Sequence, residues 1–239
     1  NNWFSSLQAG FRQGHSCMDQ IIRLSQAIED GFQSKPMQMQ RAVMILLDYS
    51  KAFDTVWRSK LLTSMAAKGV PIEYIKWLYS FLQNRQASVR LHGASSTTVR
   101  LQQGVPQGCV LSPLLFVFFI NNVVDRLMEV DPVRAKQLVI SLFADDVTVL
   151  SRNKSRVQAT ADAQWAVDII ADWSKEWMLE LNATKSEVAF FTNWSHEFKF
   201  EPVITVDGKA IPFNSRPKLL GVRYDTSLTF TDHAVEVAR

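Results

Sequence analysis

Apolar residues along this chain occur both as continuous runs and as helical stripes, and the continuous runs lead into acidic residues. Residues 42–47 are apolar without interruption and are followed by Asp48. The run is too short for a typical helix and is typical of a strand buried on both faces. Residues 138–150 contain two further β-prone runs around Asp145 and Asp146. Because aspartate is common in turns and rare in strands, this pattern predicts a β-hairpin with both acids at or beside its tip.

Helical stripes occupy much of the remaining chain. Ser16 and Asp19 have the spacing of a capping box before the first stripe, and Gly69 is a suitable terminator for the second. Helices are predicted over residues 16–32, 58–68, 71–82, 112–128 and 155–181, and strands or hairpins over residues 87–101, 188–192, 203–206 and 219–224. This order of elements predicts an α+β domain with a mixed or antiparallel sheet.

The composition is that of an ordinary globular protein. With 239 residues, 47% hydrophobic and 21% charged, the chain can bury a sizeable core as one large domain or two small ones. Its two cysteines, Cys17 and Cys109, exclude a disulfide framework and a zinc site and suit a reducing, intracellular compartment. The first residues lack a signal-peptide pattern. The longest apolar run, residues 114–120, is far below the ~20 residues that span a bilayer, so no membrane partner is expected.

Positive charge is concentrated in one segment. The net charge of +3 is too small to indicate a nucleic-acid partner by itself. Residues 58–100, however, contain seven cations and a single acid, Glu73. Such a segment could face phosphates, although a solvated basic face is the commoner cause of a charge run.

Three carboxylates are candidates for a metal site. Asp48 ends one predicted strand, Asp145 and Asp146 lie at a predicted hairpin tip, and these runs can be neighbours in one sheet. With no group of His or Cys nearby, an all-oxygen site favours Mg²⁺ over zinc. Two such ions, roughly 3.5–4 Å apart, would stabilise an in-line phosphoryl displacement. A helix N-cap for Asp48, and a solvated turn for the adjacent pair, are the alternatives.

An irregular loop adds to this chemistry. Residues 103–113, QGVPQGCVLSP, contain glycines and prolines that prevent regular structure and glutamines that supply amide groups. Combined with the acidic site and the basic segment, the loop makes nucleotidyl transfer the leading reaction class.

Five motifs in order resemble the reverse transcriptase domain of non-LTR (LINE-type) retrotransposons. LLDYSKAFDTV looks like motif A of that family, QGVPQGCVLSPLLF like motif B and FADD like motif C. WMLELNATKSEVAFF is similar to motif D and KLLGVRYDTSLTFTDHA to motif E, while QAGFRQGHSCMDQI resembles the segment that precedes motif A. The match runs from about Gln8 to the last residue, and five motifs at these spacings are far more specific than any one of them.

The resemblance implies a right-hand polymerase palm with partial fingers, an antiparallel or mixed sheet flanked by helices, and no thumb within the chain. We expect partial fingers over residues 1–41 and a palm over residues 42–192 with a fingers insertion around residues 70–104. Residues 193–239 would form a C-terminal β-hairpin region with a primer-grip-like motif at residues 218–221. The chain would then be a fragment of a longer polyprotein, and its activity in isolation is an open question.

The resemblance also assigns roles at the acidic site. Asp48 and Asp145 would bind two Mg²⁺ ions, for which Mn²⁺ is a possible substitute. Asp146 would complete the acidic site, and the carbonyl of Tyr49 would help to hold one ion. Lys185 falls at the motif D lysine that assists pyrophosphate departure, with an ordinary surface lysine as the alternative.

Four further residues are implied in substrate binding. Phe53 falls where the family places an aromatic steric gate against the ribose 2′-hydroxyl, and a core phenylalanine is the alternative. Gln107 and Gly108 would line the nucleotide and template pocket, and Arg12 would reach the triphosphate.

The implied activity is RNA-directed DNA polymerisation, in which a dNTP is added to a primer 3′-hydroxyl. The implied partners are an RNA template, a DNA primer, dNTPs and other domains of the parent polyprotein, including an endonuclease and a thumb. The implied location is intracellular, with the nucleus expected. Two alternatives stay open: a group II intron-type reverse transcriptase, and a non-catalytic or degenerate polymerase fragment that only binds RNA.

Overall fold

The computed structural model describes residues 3–34 and 38–238. Its helices agree with most of the predicted stripes, and the first is closed by the expected capping box between Ser16 and Asp19. The helices are α1 (Cys17–Phe32), α2 (Ala52–Thr55), α3 (Arg58–Ala67), α4 (Ile72–Leu82), α5 (Ser112–Ile120), α6 (Asn122–Val130), α7 (Pro132–Ala135), α8 (Arg156–Glu176) and α9 (Thr231–Val237).

The strands fall into one larger sheet and several two-residue pairs. They are β1 (Arg41–Leu47), β2 (Gln86–Ala87), β3 (Arg90–Leu91), β4 (Ala94–Ser95), β5 (Val99–Arg100), β6 (Val139–Phe143), β7 (Asp146–Asn153), β8 (Glu187–Phe191), β9 (Thr205–Val206), β10 (Lys209–Ala210), β11 (Lys218–Leu219) and β12 (Val222–Arg223). The predicted α+β class with an antiparallel sheet is therefore confirmed.

The larger sheet has four antiparallel strands in the order β6-β7-β1-β8. β1 lies inside it, with Leu47 opposite Val147 of β7 and Ile45 opposite Val188 of β8. The strand before Asp48 and the hairpin that carries Asp145 are thus direct neighbours, as predicted.

Both faces of the sheet are covered, which explains why β1 is apolar at successive positions. Val43 and Ile45 belong to the core beneath α5, α6 and α8, whereas Met44 belongs to a second core with Leu24 of α1 and Tyr224. Side chains of a strand alternate between faces, so a strand between two cores must be apolar on both.

Several elements differ from the prediction, and α2 and α7 lie outside the predicted helix ranges. The helix expected over residues 112–128 is divided into α5 and α6, because the side chain of Asn122 donates hydrogen bonds to the carbonyls of Phe118 (3.3 Å) and Phe119 (3.2 Å) and competes with the helical pattern. α8 ends at Glu176 instead of residue 181, since Met178 adopts a left-handed conformation with φ of 56°. α9 was not predicted.

The predicted hairpin over residues 87–101 is present as two nested pairs, β2 with β5 and β3 with β4. Each strand has only two residues, and all residues from 86 to 103 are exposed. No helix in the described parts of the chain has both the length and the apolarity that crossing a membrane requires.

Candidate active site

Asp48 follows β1 directly and is held by the turn that precedes β8. Its backbone N–H donates to Ser186 Oγ (3.1 Å), and its carbonyl accepts from the N–H of Asn182 (2.8 Å). Ser50 continues this pairing by donating to the carbonyl of Glu180 (2.8 Å). The strand end is therefore fixed from both sides by backbone contacts that no sequence motif signals.

The other two acids lie in the turn between β6 and β7. Asp146 is the first residue of β7 and pairs with Phe143, and the turn is made by Ala144 and Asp145. Since Leu47 lies opposite Val147, the antiparallel register places the next residue, Asp48, opposite Asp146. The structure thus brings the three predicted acids, Asp48, Asp145 and Asp146, together at the end of the sheet where β1 finishes and β7 begins. We call this end of the sheet the acidic edge.

The acids at this edge influence one another's pKa. Partial burial raises the pKa of Asp48, the charge of Lys185 lowers it, and the charge of Asp145 raises it. The pKa of Asp146 is raised by desolvation first and then by the charges of Asp145 and Asp48, although its side chain reaches solvent. Mutual repulsion of carboxylates is the condition that a bound cation relieves.

The donor atoms of these residues determine which kind of metal site they fit. Within residues 3–34 and 38–238, no three His, Cys, Asp or Glu side chains form a ready-made group of ligands. Mg²⁺, however, commonly takes only one or two protein carboxylates and fills its remaining positions with water and substrate phosphates. The acidic edge fits that mode by charge and oxygen chemistry, and it does not fit a closed protein cage.

The other residues assigned to the acidic site occupy two different environments. Lys185 is exposed and acts on Asp48 through its charge. The side chain of Tyr49 is buried, and its hydroxyl pairs with Ser174 Oγ at 3.0 Å. Burial raises the pKa of that hydroxyl, so the Tyr49 side chain is a neutral part of the core, and only its backbone could face the edge.

Phe53 lies on α2, just beyond the acidic edge. It is half-buried, and its ring stacks on Phe116 with centroids 4.3 Å apart and planes inclined by 20°. Its carbonyl accepts from the N–H of Val105 (2.8 Å). One face of the ring therefore supports the core, which is compatible with a gate as well as with a purely structural role.

The irregular loop is attached to both α2 and the start of α3. Arg58 of α3 donates to two loop carbonyls, those of Gly104 (2.8 Å) and Gln103 (2.8 Å), and to the carbonyl of Leu101 (2.9 Å) just before the loop. Gly104 has φ of 82°, and a Cβ there would lie 2.5 Å from the carbonyl oxygen of Asp54. Sequence reasoning missed Arg58, because nothing in the chain pattern distinguishes a lysine or arginine that caps carbonyls from one on a solvated face.

Gln107 and Gly108 lie at the exposed end of this loop. Gln107 Nε2 donates to Asp54 Oδ1 (2.9 Å) on α2. Gly108 has φ of 76° and open space around it. The hydrogen bond from Gln107 to Asp54 thus fixes the exposed end of the loop to α2, the helix that follows Asp48.

Arg12 and the predicted primer-grip residues lie in other contacts. The Arg12 guanidinium donates to the carbonyls of Ser5 (2.6 Å) and Gln8 (2.9 Å) within its own segment. Residues 218–221 form the first strand and the turn of the β11–β12 hairpin, as the motif E resemblance implies. There Lys218 pairs with Glu236 of α9 at 3.0 Å.

Comparison with known proteins gives a consistent result. The family model described as "Reverse transcriptase (RNA-dependent DNA polymerase)" matches residues 2–211. The chain is 32% identical over 234 residues to the probable RNA-directed DNA polymerase from transposon BS of Drosophila melanogaster, and the match covers 97% of this chain and 25% of that protein. It is 30% identical over 230 residues to the probable RNA-directed DNA polymerase from transposon X-element of the same organism. That match covers 96% of this chain and 24% of that protein.

The fold is also found among solved structures. Apo telomerase from Candida tropicalis, truncated from its C-terminal domain, superposes with a TM-score of 0.64 at 12% identity, covering 94% of this chain and 40% of that one. At this identity the likeness concerns the fold alone. The chain spans about a quarter of the length of the curated relatives it matches.

Proposed function

The chain belongs to the reverse transcriptase family, and we propose that it is the polymerase domain of a non-LTR retrotransposon protein, which adds dNTPs to a DNA primer on an RNA template. The observation that carries this proposal is the convergence of three mutually repelling carboxylates at one sheet edge. Burial and repulsion destabilise the charged forms of Asp48 and Asp146 in the folded state, and a positively charged ligand at this edge would offset that cost.

Within this proposal, Asp48 and Asp145 hold two Mg²⁺ ions, and Mn²⁺ is the possible substitute. Asp146 and the carbonyl of Tyr49 complete the oxygen donors. When bound, such ions offset the negative charge that develops on the transferred phosphoryl group and lower the pKa of the attacking hydroxyl. The protein itself supplies a fixed strand end and a fixed turn, so the donors need little reorganisation.

The incoming nucleotide would lie between the acidic edge and the irregular loop. Gln107 and Gly108 are exposed at the end of a loop that Arg58 holds in place. Phe53 would meet the sugar from α2. Lys185, whose charge already acts on Asp48, would protonate or stabilise the departing pyrophosphate. The assignment of Arg12 to the triphosphate would require its guanidinium to leave the carbonyls it now contacts.

Nucleic-acid binding is supported by the charge of the expected fingers insertion around residues 70–104. Residues 74–124 contain no Asp or Glu, and Arg85, Arg90 and Arg100 form no ion pair with any described residue. These cations are available to phosphates. Residues 218–221 would contact the primer, and the endonuclease and thumb of the parent polyprotein, with a nuclear location, belong to the same proposal.

A second candidate is a fragment that binds RNA without catalysis. The observation in its favour is that Arg85, Arg90 and Arg100, which form no ion pair with any described residue, could bind phosphates whether or not catalysis follows. Both candidates predict salt-sensitive binding of RNA, so binding does not separate them.

Primer extension separates the two candidates. The assay uses a labelled DNA primer on an RNA template, with Mg²⁺ and dNTPs, and the chain is tested alone and within the longer polypeptide of its element. We expect template-dependent extension that stops with a chelator and resumes with Mg²⁺ or Mn²⁺. If the longer polypeptide binds primer-template, is folded and still adds no nucleotide, the catalytic proposal is wrong and the RNA-binding alternative stands.

A further inference from the structure

The segment before α1 is attached to the strand that leads into the acidic turn. β6 is an edge strand of the four-stranded sheet. Leu142 of β6 donates its N–H to the carbonyl of Leu7 (3.1 Å) and accepts from the N–H of Ala9 (2.9 Å), which makes a parallel bridge centred on Gln8. The segment therefore covers the free side of the outer strand β6 and runs in the same direction as β6, toward Asp145.

The side chain of Gln8 is completely buried and reaches the turn itself. Its Oε1 accepts from the N–H of Gly10 (2.8 Å) and from the N–H of Ala144 (3.2 Å). Two donors that face one atom fix the orientation of the amide, because an amide nitrogen cannot accept either bond. The Nε2 atom of Gln8 is buried without a partner among the described residues. A buried, unpaired donor is destabilising. The stabilising contribution of the Gln8 amide therefore comes from its oxygen, which accepts both hydrogen bonds.

The partner of that oxygen is the residue directly before the acids. Ala144 is buried and has φ of 56°, a left-handed conformation that costs energy for a residue with a Cβ. Gly10 lies against it so closely that a Cβ on Gly10 would be 2.3 Å from the backbone nitrogen of Ala144. The strained turn is therefore held by one hydrogen bond and by one backbone contact, and both come from the same segment.

We propose that Gln8 and Gly10 are positioning residues, which hold Ala144 in its left-handed conformation and thereby fix the direction of the Asp145 and Asp146 carboxylates. Arg12 closes this segment on itself by donating to the carbonyls on either side of Leu7. The effect on reaction rate rests on the proposed polymerase function, but the effect on the turn does not. The two can therefore be tested separately.

The first test compares two replacements of Gln8 that have similar length. Gln8→Met removes the acceptor, whereas Gln8→Glu keeps a carboxyl oxygen of the same reach. Amide hydrogen exchange is measured at Ala144, with the amides of β1 as the internal check on folding. We expect the Ala144 amide to exchange at least about tenfold faster in Gln8→Met and to keep most of its protection in Gln8→Glu. Unchanged exchange at Ala144 in folded Gln8→Met would overturn the proposal, whether or not the protein is a polymerase.

The second test uses two glycines of the same loop and decides the matter if Gln8→Met does not fold. Gly10→Ala places a methyl group against Ala144, whereas Gly14→Ala has nothing within 4 Å of its new atom and tests backbone strain alone, since φ of Gly14 is 76°. We expect Gly10→Ala, and not Gly14→Ala, to increase exchange at Ala144. Equal exchange at Ala144 in both variants would contradict the proposal.

In an active polymerase, the same variants should separate positioning from general stability. A displaced Asp145 weakens the response to the metal, so Gln8→Met should raise the Mg²⁺ concentration for half-maximal single-nucleotide addition by about tenfold. Its affinity for primer-template should stay within about twofold of the parent, and Gln8→Glu should restore part of the response. If only affinity for primer-template falls, Gln8 does not act through the acidic turn.

Discussion

The four-stranded sheet and the hairpin of residues 86–101 contain similar β-prone residues but are stabilised in different ways. In β1 five of seven residues are buried, and the strand pairs with a neighbour on each side. In the hairpin every residue is exposed, and each strand pairs over two residues only. The sheet is stabilised by what it buries, whereas the hairpin is attached mainly at its base, where Arg58 donates to the carbonyl of Leu101.

This difference separates two requirements of the proposed reaction. The acidic edge needs precise and unchanging positions, and it is built on buried strands and on turns with fixed hydrogen bonds. A surface that follows a nucleic acid needs accessible charge, and the hairpin offers Arg90 and Arg100, which form no ion pair with any described residue. A two-stranded hairpin with no core is marginal in water by itself, which is consistent with a partner that covers it.

A valine-to-alanine substitution should give the largest difference between the two regions, measured as the change in the free energy of unfolding. Val43→Ala in β1 should reduce the free energy of unfolding by about 2–3 kcal/mol, because each buried methyl group contributes roughly 0.8 kcal/mol and a cavity adds to the loss. Val99→Ala in the hairpin should change it by less than about 0.5 kcal/mol, since Val99 is 60% exposed. Urea denaturation checks both variants, and equal losses would show that the hairpin belongs to the core.

Phe53 follows β1 and precedes the hairpin along the chain. A role as a steric gate can be distinguished experimentally from a role in packing against Phe116. Phe53→Val keeps an apolar side chain against Phe116 but opens space for a ribose 2′-hydroxyl. We expect the preference for dNTP over the matching rNTP to fall by at least about tenfold, or ~1.4 kcal/mol, because a clash has been removed. Primer extension with each nucleotide pair measures this preference.

A core role for Phe53 predicts a different outcome. Phe53→Ala would then lower the free energy of unfolding by about 3–5 kcal/mol and reduce use of dNTPs and rNTPs together. An unchanged dNTP preference in folded Phe53→Val would show that the residue is structural and not a gate.

The charge of the hairpin should appear in the salt dependence of binding. Each arginine that neutralises a phosphate contributes about −0.7 to −0.9 to the slope of log K against log salt. Arg90→Gln and Arg100→Gln should each make the slope for primer-template less steep by about that amount and leave thermal stability unchanged. Arg126→Gln is the matched control, since Arg126 already pairs with Glu176 at 2.8 Å. An identical slope in all three variants would contradict a phosphate-binding hairpin.

The smallest change in stability is expected for Asp146 of the acidic edge, and its sign is opposite to that of most substitutions. Because the pKa of Asp146 is raised in the folded state, folding is favoured most at low pH, and this contribution is lost as pH rises through the raised pKa. Asp146→Asn should therefore increase the melting temperature of the metal-free protein at neutral pH, by less than about 2–4 °C. The gain should disappear below the ordinary aspartate pKa of about 3.9, where the parent carboxyl is protonated in both the folded and the unfolded state. A lower melting temperature at neutral pH would contradict the destabilising role of this charge.

The sequence predicted those parts of the site that depend on local pattern. The apolar run before Asp48 and the hairpin around Asp145 could be recognised because strand burial on both faces leaves a continuous apolar signal. Their proximity followed from placing both runs in one sheet. Residue roles came from motif resemblance, and the effect of the Lys185 charge on Asp48 is compatible with the role assigned to that lysine.

The remaining parts depend on contacts between distant segments. The bond from Ala144 to Gln8, the three carbonyls bound by Arg58, and the support of Asp48 by Ser186 all join residues far apart in sequence. None of these has a periodic pattern, and each side chain could equally have been solvated. The exposed helix α9 was missed for a related reason, since it has no buried residue and hence no apolar stripe.

The central claim, that the acidic edge is a catalytic metal site, is tested most directly by single-nucleotide addition with Asp145→Asn. Because stabilisation by a bound metal supplies several kcal/mol and each ~1.4 kcal/mol is tenfold in rate, we expect the rate to fall by several orders of magnitude. Asp172→Asn, at a side chain that is 71% exposed on α8, should retain the parent rate. A folded Asp145→Asn protein that adds a nucleotide at close to the parent rate would contradict the account.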